Sequence, residues 1–403
     1  MPCGFVSMSD ALPYLDLSDP AFSTRGAEIA EARAAAWCAR TPYGLAVLRW
    51  HEVGRILRDR RFRQGSHNWP DTVGITGAFA EFWKSSVISQ EGPPHRRMRD
   101  LAVPALSEAY VTGLIPAFEE IARDLCADLR QTERCEFQSA FSEPFAGQAI
   151  TTLLGMERER WPEIAHDAAE LGLAMGVRAP EFQDRFNAAC IRLFTLADTL
   201  VTRVRRGEDK SSYVARLVAR FDETGGCSHD ELLNVIVISI FGGVDTTRAL
   251  LGLGLSLFIE NPAQWQALRQ DESLIPAAIE EFIRARPTTT WATREATEDV
   301  ELSGVRVEKG TVLHLLVHAS ARDPAICDQP AFDITAPRRK HFGFGGGAHH
   351  CIGHFVARTD IAAALAALRR SFVRVAYDGV PEWLPESGNT SPLSLPIVYE
   401  VQT

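Results

Sequence analysis

Apolar residues along this chain mostly recur three and four apart, the spacing of helices buried on one side, and alternate with polar residues only in short runs. Residues 44–50 are apolar and strand-like, and 51–61 read as a short helix. Residues 63–90 break the pattern with Gly, Pro, Asn, Thr and aromatics and predict a long irregular loop, a feature compact domains usually keep for function. Pro93 and Pro94 then open a basic helix from His95, proline being suited to a first turn. Amphipathic helices follow between 108 and 200, clearest at 117–129 and 146–154. Residues 228–259 predict one long apolar helix; Ser228, His229, Asp230 and Glu231 supply a capping residue and acid in the first turn. A helix over 273–284 ends near Pro287. Residues 294–317 alternate around Gly304 and Gly310 as hairpins, and 322–341 form a proline-containing meander. A helix over 353–372 begins directly after Cys351, and 381–401 are strand and loop. The sum is a mostly α protein with small β-sheets.

Composition sharpens this. Hydrophobic residues make up 46% of the 403, enough for one large core that could enclose a cofactor. No Ser/Gly-rich, Pro-rich or single-charge tract reads as a linker, so the expectation is a single domain over 1–403. A net charge of −10 argues against a general nucleic-acid binder. The first ten residues lack the basic flank and apolar stretch of a signal peptide, and the most apolar short run, 235–244, is about half a membrane span. The expectation is therefore a cytoplasmic protein with no membrane attachment. Eight scattered cysteines (3, 38, 126, 135, 190, 227, 327 and 351) form no close C-x-x-C and read as buried small hydrophobes rather than a disulfide framework.

Cys351 stands apart. It closes the run Phe344-Gly345-Gly346-Gly347-Ala348-His349-His350-Cys351-Ile352-Gly353, in which glycines permit backbone angles and close approaches that other residues forbid. A helix N-terminus after Cys351 favours a negative sulfur and prepares a metal ligand. Three other readings stay open on the residues alone. A phosphate loop would want a Lys-Ser/Thr pair that is missing. Zinc on His349, His350 and Cys351 would use poorly spaced adjacent ligands. The third is a plain glycine turn beside an inert thiol.

The run resembles the haem-binding signature of the cytochrome P450 family, F-G-x-G-x-H-x-C-x-G, at every specified position. The resemblance implies the P450 fold, with haem b between a long I helix and the cysteine loop with the L helix that follows. It implies an iron ligand at Cys351 and cofactor contacts at Phe344, Gly345, His349 and Gly353. Thiolate ligation favours O–O cleavage.

Further motifs occur in the family's order. Glu281 and Arg284 resemble the E-x-x-R of its K helix; at i, i+3 they share a face. The family's third Arg falls at Ala336 here, and Arg338 is a candidate replacement. Gly242-Gly243-Val244-Asp245-Thr246-Thr247 resembles the I-helix motif A-G-x-D/E-T-T. The two glycines predict a local opening of the helix that admits oxygen and water. The alternatives are a Thr246 hydroxyl bonded back to its own helix and an Asp245 held in a salt bridge. His95 and Arg99 lie on one helix face at i, i+4, resembling the C-helix H-x-x-x-R. With Arg294 and His341 they match the family's propionate-binding positions.

The resemblance implies a monooxygenase placing one oxygen atom of O2 in a largely hydrophobic small molecule, with secondary-metabolite tailoring as the expected setting. Asp245 and Thr246 would carry protons, and a ferredoxin with its ferredoxin reductase would supply electrons. Trp83, Phe241, Gly242, Thr290 and Trp291 correspond to substrate-pocket positions. Arg96, Arg97, Arg338, Arg339 and Lys340 are candidates for a basic electron-donor dock. Oxidative coupling or epoxidation is the main alternative; a haem sensor without turnover is a second.

Overall fold

The computed structural model describes residues 12–19, 21–175, 178–337, 340–386 and 388–402. The chain opens with α1 (Ala27–Ala35), β1 (Cys38–Thr41), β2 (Gly44–Val47), α2 (Trp50–Ile56), β3 (Phe62–Gln64), α3 (Trp69–Val73), α4 (Ala78–Ser85) and α5 (Gly92–Ala105). It continues with α6 (Glu108–Thr112), α7 (Ile115–Leu129), β4 (Arg134–Glu136), α8 (Glu143–Leu153), α9 (Trp161–Gly172), α10 (Gln183–Arg205) and α11 (Tyr213–Thr224). Next come α12 (His229–Glu260), α13 (Pro262–Gln270), α14 (Ile275–Ala285), β5 (Trp291–Ala296), β6 (Val300–Leu302), β7 (Val305–Val307), β8 (Val312–Leu316) and α15 (Val317–Ala321). The chain closes with α16 (His354–Ser371), β9 (Phe372–Tyr377), β10 (Glu382–Trp383), β11 (Pro392–Ser394) and β12 (Pro396–Val401). The mostly α architecture with small sheets is as expected. The described residues fall into two compact units.

The first unit takes the chain up to Ser66, Glu280–Cys351 and Leu384–Thr390. Its five-stranded sheet has the order β1-β2-β8-β5-β3; β2 and β8 run parallel and the other pairs are antiparallel. Val47, Leu313 and Leu315 share a buried cluster with Val53 and Ile56 of α2 and with Phe342. Ser303 and Gly304, both at positive φ, make the tight turn of the β6–β7 hairpin, where left-handed residues match the twist of the strands.

The second unit takes His67–Ile279, Ile352–Trp383 and Ser391 onward. Its spine is α12. Ser228 accepts from the Glu231 N–H while the Glu231 carboxylate accepts from the Ser228 N–H, a reciprocal cap that starts the helix where the sequence places it. α12 is long and apolar enough to cross a membrane, and 56% of its most apolar window is buried in the protein. Val235, Ile236, Ile240 and Val244 pack among side chains of α8, α9 and α10.

Two expectations are corrected. Residues 63–90 are not one loop: they hold the end of β3, then α3 and α4. Pro70 suits the first turn of α3, and Gly74, at φ 76, ends it. In α4, Phe79, Phe82 and Trp83 fall on one face and are buried. Each helix is too short for its period to stand out between glycines. The predicted opening at Gly242–Gly243 is also absent, since α12 runs unbroken through both.

Candidate functional site

The cysteine-bearing loop of the first unit is held by main chain. Gly345 and Gly347 sit at φ 68 and 66, a region side chains disfavour, and a Cβ on Gly347 would strike the carbonyl of Leu57 just past α2. The Gly345 N–H donates to the Phe342 carbonyl at 2.7 Å, and the Cys351 N–H to the Phe344 carbonyl at 2.9 Å. Cys351 is left half-buried. Cys135 and Cys227 are also half-buried, but burial of their thiols pushes them up to about 12 and about 11. Burial does the same for Cys38, Cys190 and Cys126, which reach about 12, about 12 and about 11. None of these five is a ready thiolate near neutral pH.

Glu281 and Arg284 do pair, with Arg284 Nε and Nη2 donating to the carboxylate at 2.7 and 2.6 Å, and both are buried. Arg284 also donates to the carbonyls of Pro330 and Ala331, and Glu281 accepts from the Asp333 N–H. The pair thus grips the meander through its backbone, beside the position where the family has a third Arg. Arg338 and Arg339 lie outside the described residues.

Arg294 is buried on β5, its Nη1 donating to Gln64 Oε1 at 2.8 Å across the β3–β5 pair and to the Thr293 carbonyl. The Gly343 N–H donates to His341 Nδ1, which in a neutral ring leaves Nε2 to donate to Glu280 Oε2 at 2.8 Å. Thr290 is buried; its N–H donates to the Gly388 carbonyl and its hydroxyl accepts from the Gly388 N–H. Trp291 is half-buried, edge-on to His314 at 5.8 Å and tilted against Phe22 at 6.5 Å, so its ring packs at the edge of a sheet cluster.

In the second unit, α12 exposes one face. Phe241 is half-buried, Gly242 is exposed, and Asp245 and Thr246 are half-buried, while Val244 and Thr247 beside them are buried. A Cβ on Gly242 would meet nothing within 4 Å; one on Gly243 would meet Ile150 of α8 at 3.0 Å. The first glycine borders open space and the second admits a neighbouring helix. Gly353, the N-cap of α16, also borders open space. His95 is buried on α5, and Arg99, four residues on, is half-buried. Trp83 is 3% exposed and stacked on Phe79, within the buried cluster of the second unit.

The Thr246 hydroxyl donates to the Gly242 carbonyl at 2.5 Å, and Asp245 pairs with Arg248 at 2.8 Å. These are the plainer of the readings weighed for both residues. Directly beside them is a group the sequence analysis missed. Thr247 donates to the carboxylate of Asp360 on α16 at 3.2 Å, and burial pushes that acid up to about 7. Its signal was a carboxylate heading the apolar stretch 361–368. Arg97, a candidate dock residue, is tied to Glu231 at 2.7 Å, while Arg96 and Lys340 are exposed.

Comparison with known proteins gives concordant results. A family model described as Cytochrome P450 matches residues 177–397. Luteothin monooxygenase of Streptomyces thioluteus is 32% identical over 394 residues, 96% of this chain and 96% of that protein. Mycinamicin IV hydroxylase/epoxidase of Micromonospora griseorubida is 29% identical over 406 residues, 96% of this chain and 98% of its own. Among solved structures, CalO2 superposes with a TM-score of 0.87 at 26% identity, covering 95% of this chain and 99% of its own. CxnD, a cytochrome P450 enzyme for C–S bond formation in chuangxinmycin biosynthesis, does so with 0.81 at 27% identity, covering 92% and 93%.

Proposed function

The chain belongs to the cytochrome P450 family and is a monooxygenase of it, and on that premise we propose that it inserts one oxygen atom of O2 into a largely hydrophobic small molecule in natural-product tailoring. We take residues 1–403 as one P450 domain. The family implies a haem, here read as haem b with Cys351 as its iron ligand. The observation that carries this reading is the glycine-built loop that keeps Cys351 accessible while burial raises five other thiols.

The residues fit the group. Gly242 and Gly353 both border open space, the clearance a flat macrocycle needs, and half-buried apolar side chains at Phe241, Ile352 and Val356 suit its faces. Cys351 would hold the iron, and His95, Arg99 and Arg294 would meet the propionates. His341 would join them after exchanging its bond to Glu280. Bound haem supplies the activation of O2 and the oxidising power. The chain's part is to bind and orient the substrate and to control protons. Asp245 would move protons by swinging off Arg248, a contact within one turn of one helix. Thr246 would pass a proton by turning its hydroxyl away from the Gly242 carbonyl. A ferredoxin and its reductase would supply the electrons.

The relatives' names span hydroxylation, epoxidation and C–S bond formation, and one experiment separates oxygen insertion from the rest. The loaded enzyme is run with ferredoxin, ferredoxin reductase and a panel of hydrophobic natural products under labelled oxygen gas. One labelled atom in the product is the expected result. Turnover to an unlabelled oxidised product would replace oxygen insertion with coupling.

A further inference from the structure

We propose that Glu386 is a positioning residue for substrate selection, fixing residues 288–291 through a closed ring of hydrogen bonds that runs by way of the stretch before α1. This rests on the monooxygenase reading, in which Thr290 and Trp291 border the substrate. Glu386 touches no substrate in that reading and acts through its neighbours.

The ring lies within the first unit and joins segments far apart in sequence. Glu386, its side chain 9% exposed, accepts from the Thr24 N–H at 2.5 Å and from the Ser23 hydroxyl at 3.4 Å. The Arg25 guanidinium flanks it at 3.4 Å. Thr24 is buried, and its carbonyl accepts from Nδ1 of buried His318 at 3.0 Å, so its backbone is held on both sides. Beside His318, the Val317 N–H donates to the Thr290 carbonyl at 3.1 Å. The Thr290 N–H donates to the Gly388 carbonyl at 2.8 Å, and the Gly388 N–H returns to the Thr290 hydroxyl at 3.1 Å. Gly388 is two residues from Glu386, which closes the ring. The Thr390 N–H adds a bond to the Thr288 carbonyl at 2.8 Å, and Thr289 pairs with Asn389 as an antiparallel bridge.

The aromatic contacts follow the same course. Phe22 tilts against Trp291 at 6.5 Å, and the indole lies against Gly388, where a Cβ would come within 3.5 Å of its Nε1. At φ 107 Gly388 adopts a backbone conformation that side chains disfavour, and its segment depends on outside partners for its course. A carboxylate accepting from a main-chain N–H makes a charge-assisted bond, roughly twice as strong as a neutral one. Glu386 directs that bond inward at Thr24. A shift of the stretch before α1 therefore moves Glu386 and, through Gly388, moves Thr290 and Trp291. A purely structural clamp at Glu386 would change stability alone. A positioning role also changes how the walls around the substrate fit a large ligand.

The test uses the haem-loaded full chain and two azole probes that ligate iron, imidazole and the bulky triaryl azole clotrimazole. Imidazole reads the iron and its loop; clotrimazole also reads the walls around the substrate. Dissociation constants are taken from difference spectra for wild type, Glu386→Ala, Glu386→Gln, Arg25→Ala and Phe22→Ala. An imidazole constant equal to that of wild type keeps the haem reading separate from the clamp. In Glu386→Ala, clotrimazole should bind at least about 10-fold more weakly, the lower end of what one methylene of fit is worth in a hydrophobic pocket, with imidazole unchanged. Phe22→Ala frees the same stretch from its other side and should shift in the same direction. Glu386→Gln keeps an oxygen for the Thr24 N–H, and Arg25→Ala takes away the outer ion pair, so both should stay near wild type. A lower melting temperature in Glu386→Ala with clotrimazole binding unchanged would reduce Glu386 to a structural clamp and overturn the proposal. Equal losses for the two azoles would place the effect at the iron and overturn it as well. If Glu386→Ala takes up no haem, Phe22→Ala decides on the same ratio.

Discussion

Cys351 sits in a loop whose course is set by backbone geometry. Positive φ at Gly345 and Gly347 turns the loop so that the Cys351 N–H closes onto Phe344 and the sulfur stays accessible. Cys351→Ala should therefore abolish the red-shifted Soret band of the reduced carbon monoxide complex without unfolding the loop. Absorption spectra and far-UV circular dichroism together check this; a retained band would assign the iron to another ligand. Thr246 makes a different case. Its hydroxyl bonds its own helix, so Thr246→Ala should change stability by no more than about 0.5 kcal/mol. If it passes protons during turnover, reducing equivalents should divert to peroxide. Measured peroxide yield equal to wild type would leave Thr246 with only its helical bond. At this scale the sequence is legible where the signal is local. Cys351 and the Glu281–Arg284 pair could be named because short contiguous motifs there resemble the family's, and the pair is formed. The partners of Arg294, His341 and Thr247 could not, because Gln64, Glu280 and Asp360 lie 230, 61 and 113 residues away.

Among the elements, those with long periods or explicit caps were legible. α12 begins where its capping box does, and α16 follows the cysteine loop as expected. The short helices were not, and α4 shows why. Its N-cap is Gly77, which has no side chain to accept a helical N–H. The cap comes from α10 instead. Asn187 Oδ1 accepts from the Phe79 N–H at 2.9 Å, and its Nδ2 donates to the Thr76 carbonyl at 3.1 Å. A Cβ on Gly77 would crowd that amide at 2.9 Å. A helix capped from a residue over a hundred positions away carries no start signal of its own. Gln183 accepts from the Thr76 N–H, and the Trp69 indole donates to the Ala174 carbonyl, so the whole segment hangs on the α9–α10 region. Asn187→Ala should cost roughly 1 kcal/mol, as loss of a cap does. It should also loosen α3 and α4 together, raising hydrogen exchange over 69–85. Exchange unchanged in that window would make the cap incidental.

At the scale of the molecule, buried titratable groups give the two compact units opposite responses to pH. In the first, burial lowers His314 from its usual 6.5 to about 4 and His318 to about 3. Both stay neutral when folded and take up protons on unfolding, so the stability they allow is present above 6.5 and lost as pH falls toward 4. In the second, burial raises Asp360 from 3.8 to about 7. It holds its proton when folded and releases it on unfolding, so its contribution is present below 3.8 and lost as pH rises through 7. Between 4 and 6.5 an unfolded chain binds two more protons at the histidines and one fewer at Asp360. If residues 1–403 are a single cooperative domain, these sum to a net uptake of one. Stability should then rise with pH by about 1.4 kcal/mol per unit in the lower part of that window and level off near 6.5. Asp360→Asn removes the opposing proton and should roughly double the slope. Calorimetric unfolding from pH 4.5 to 7.5, for wild type and Asp360→Asn, checks both. Two transitions moving in opposite directions with pH would mean that the units melt separately, and the single-domain reading would fail.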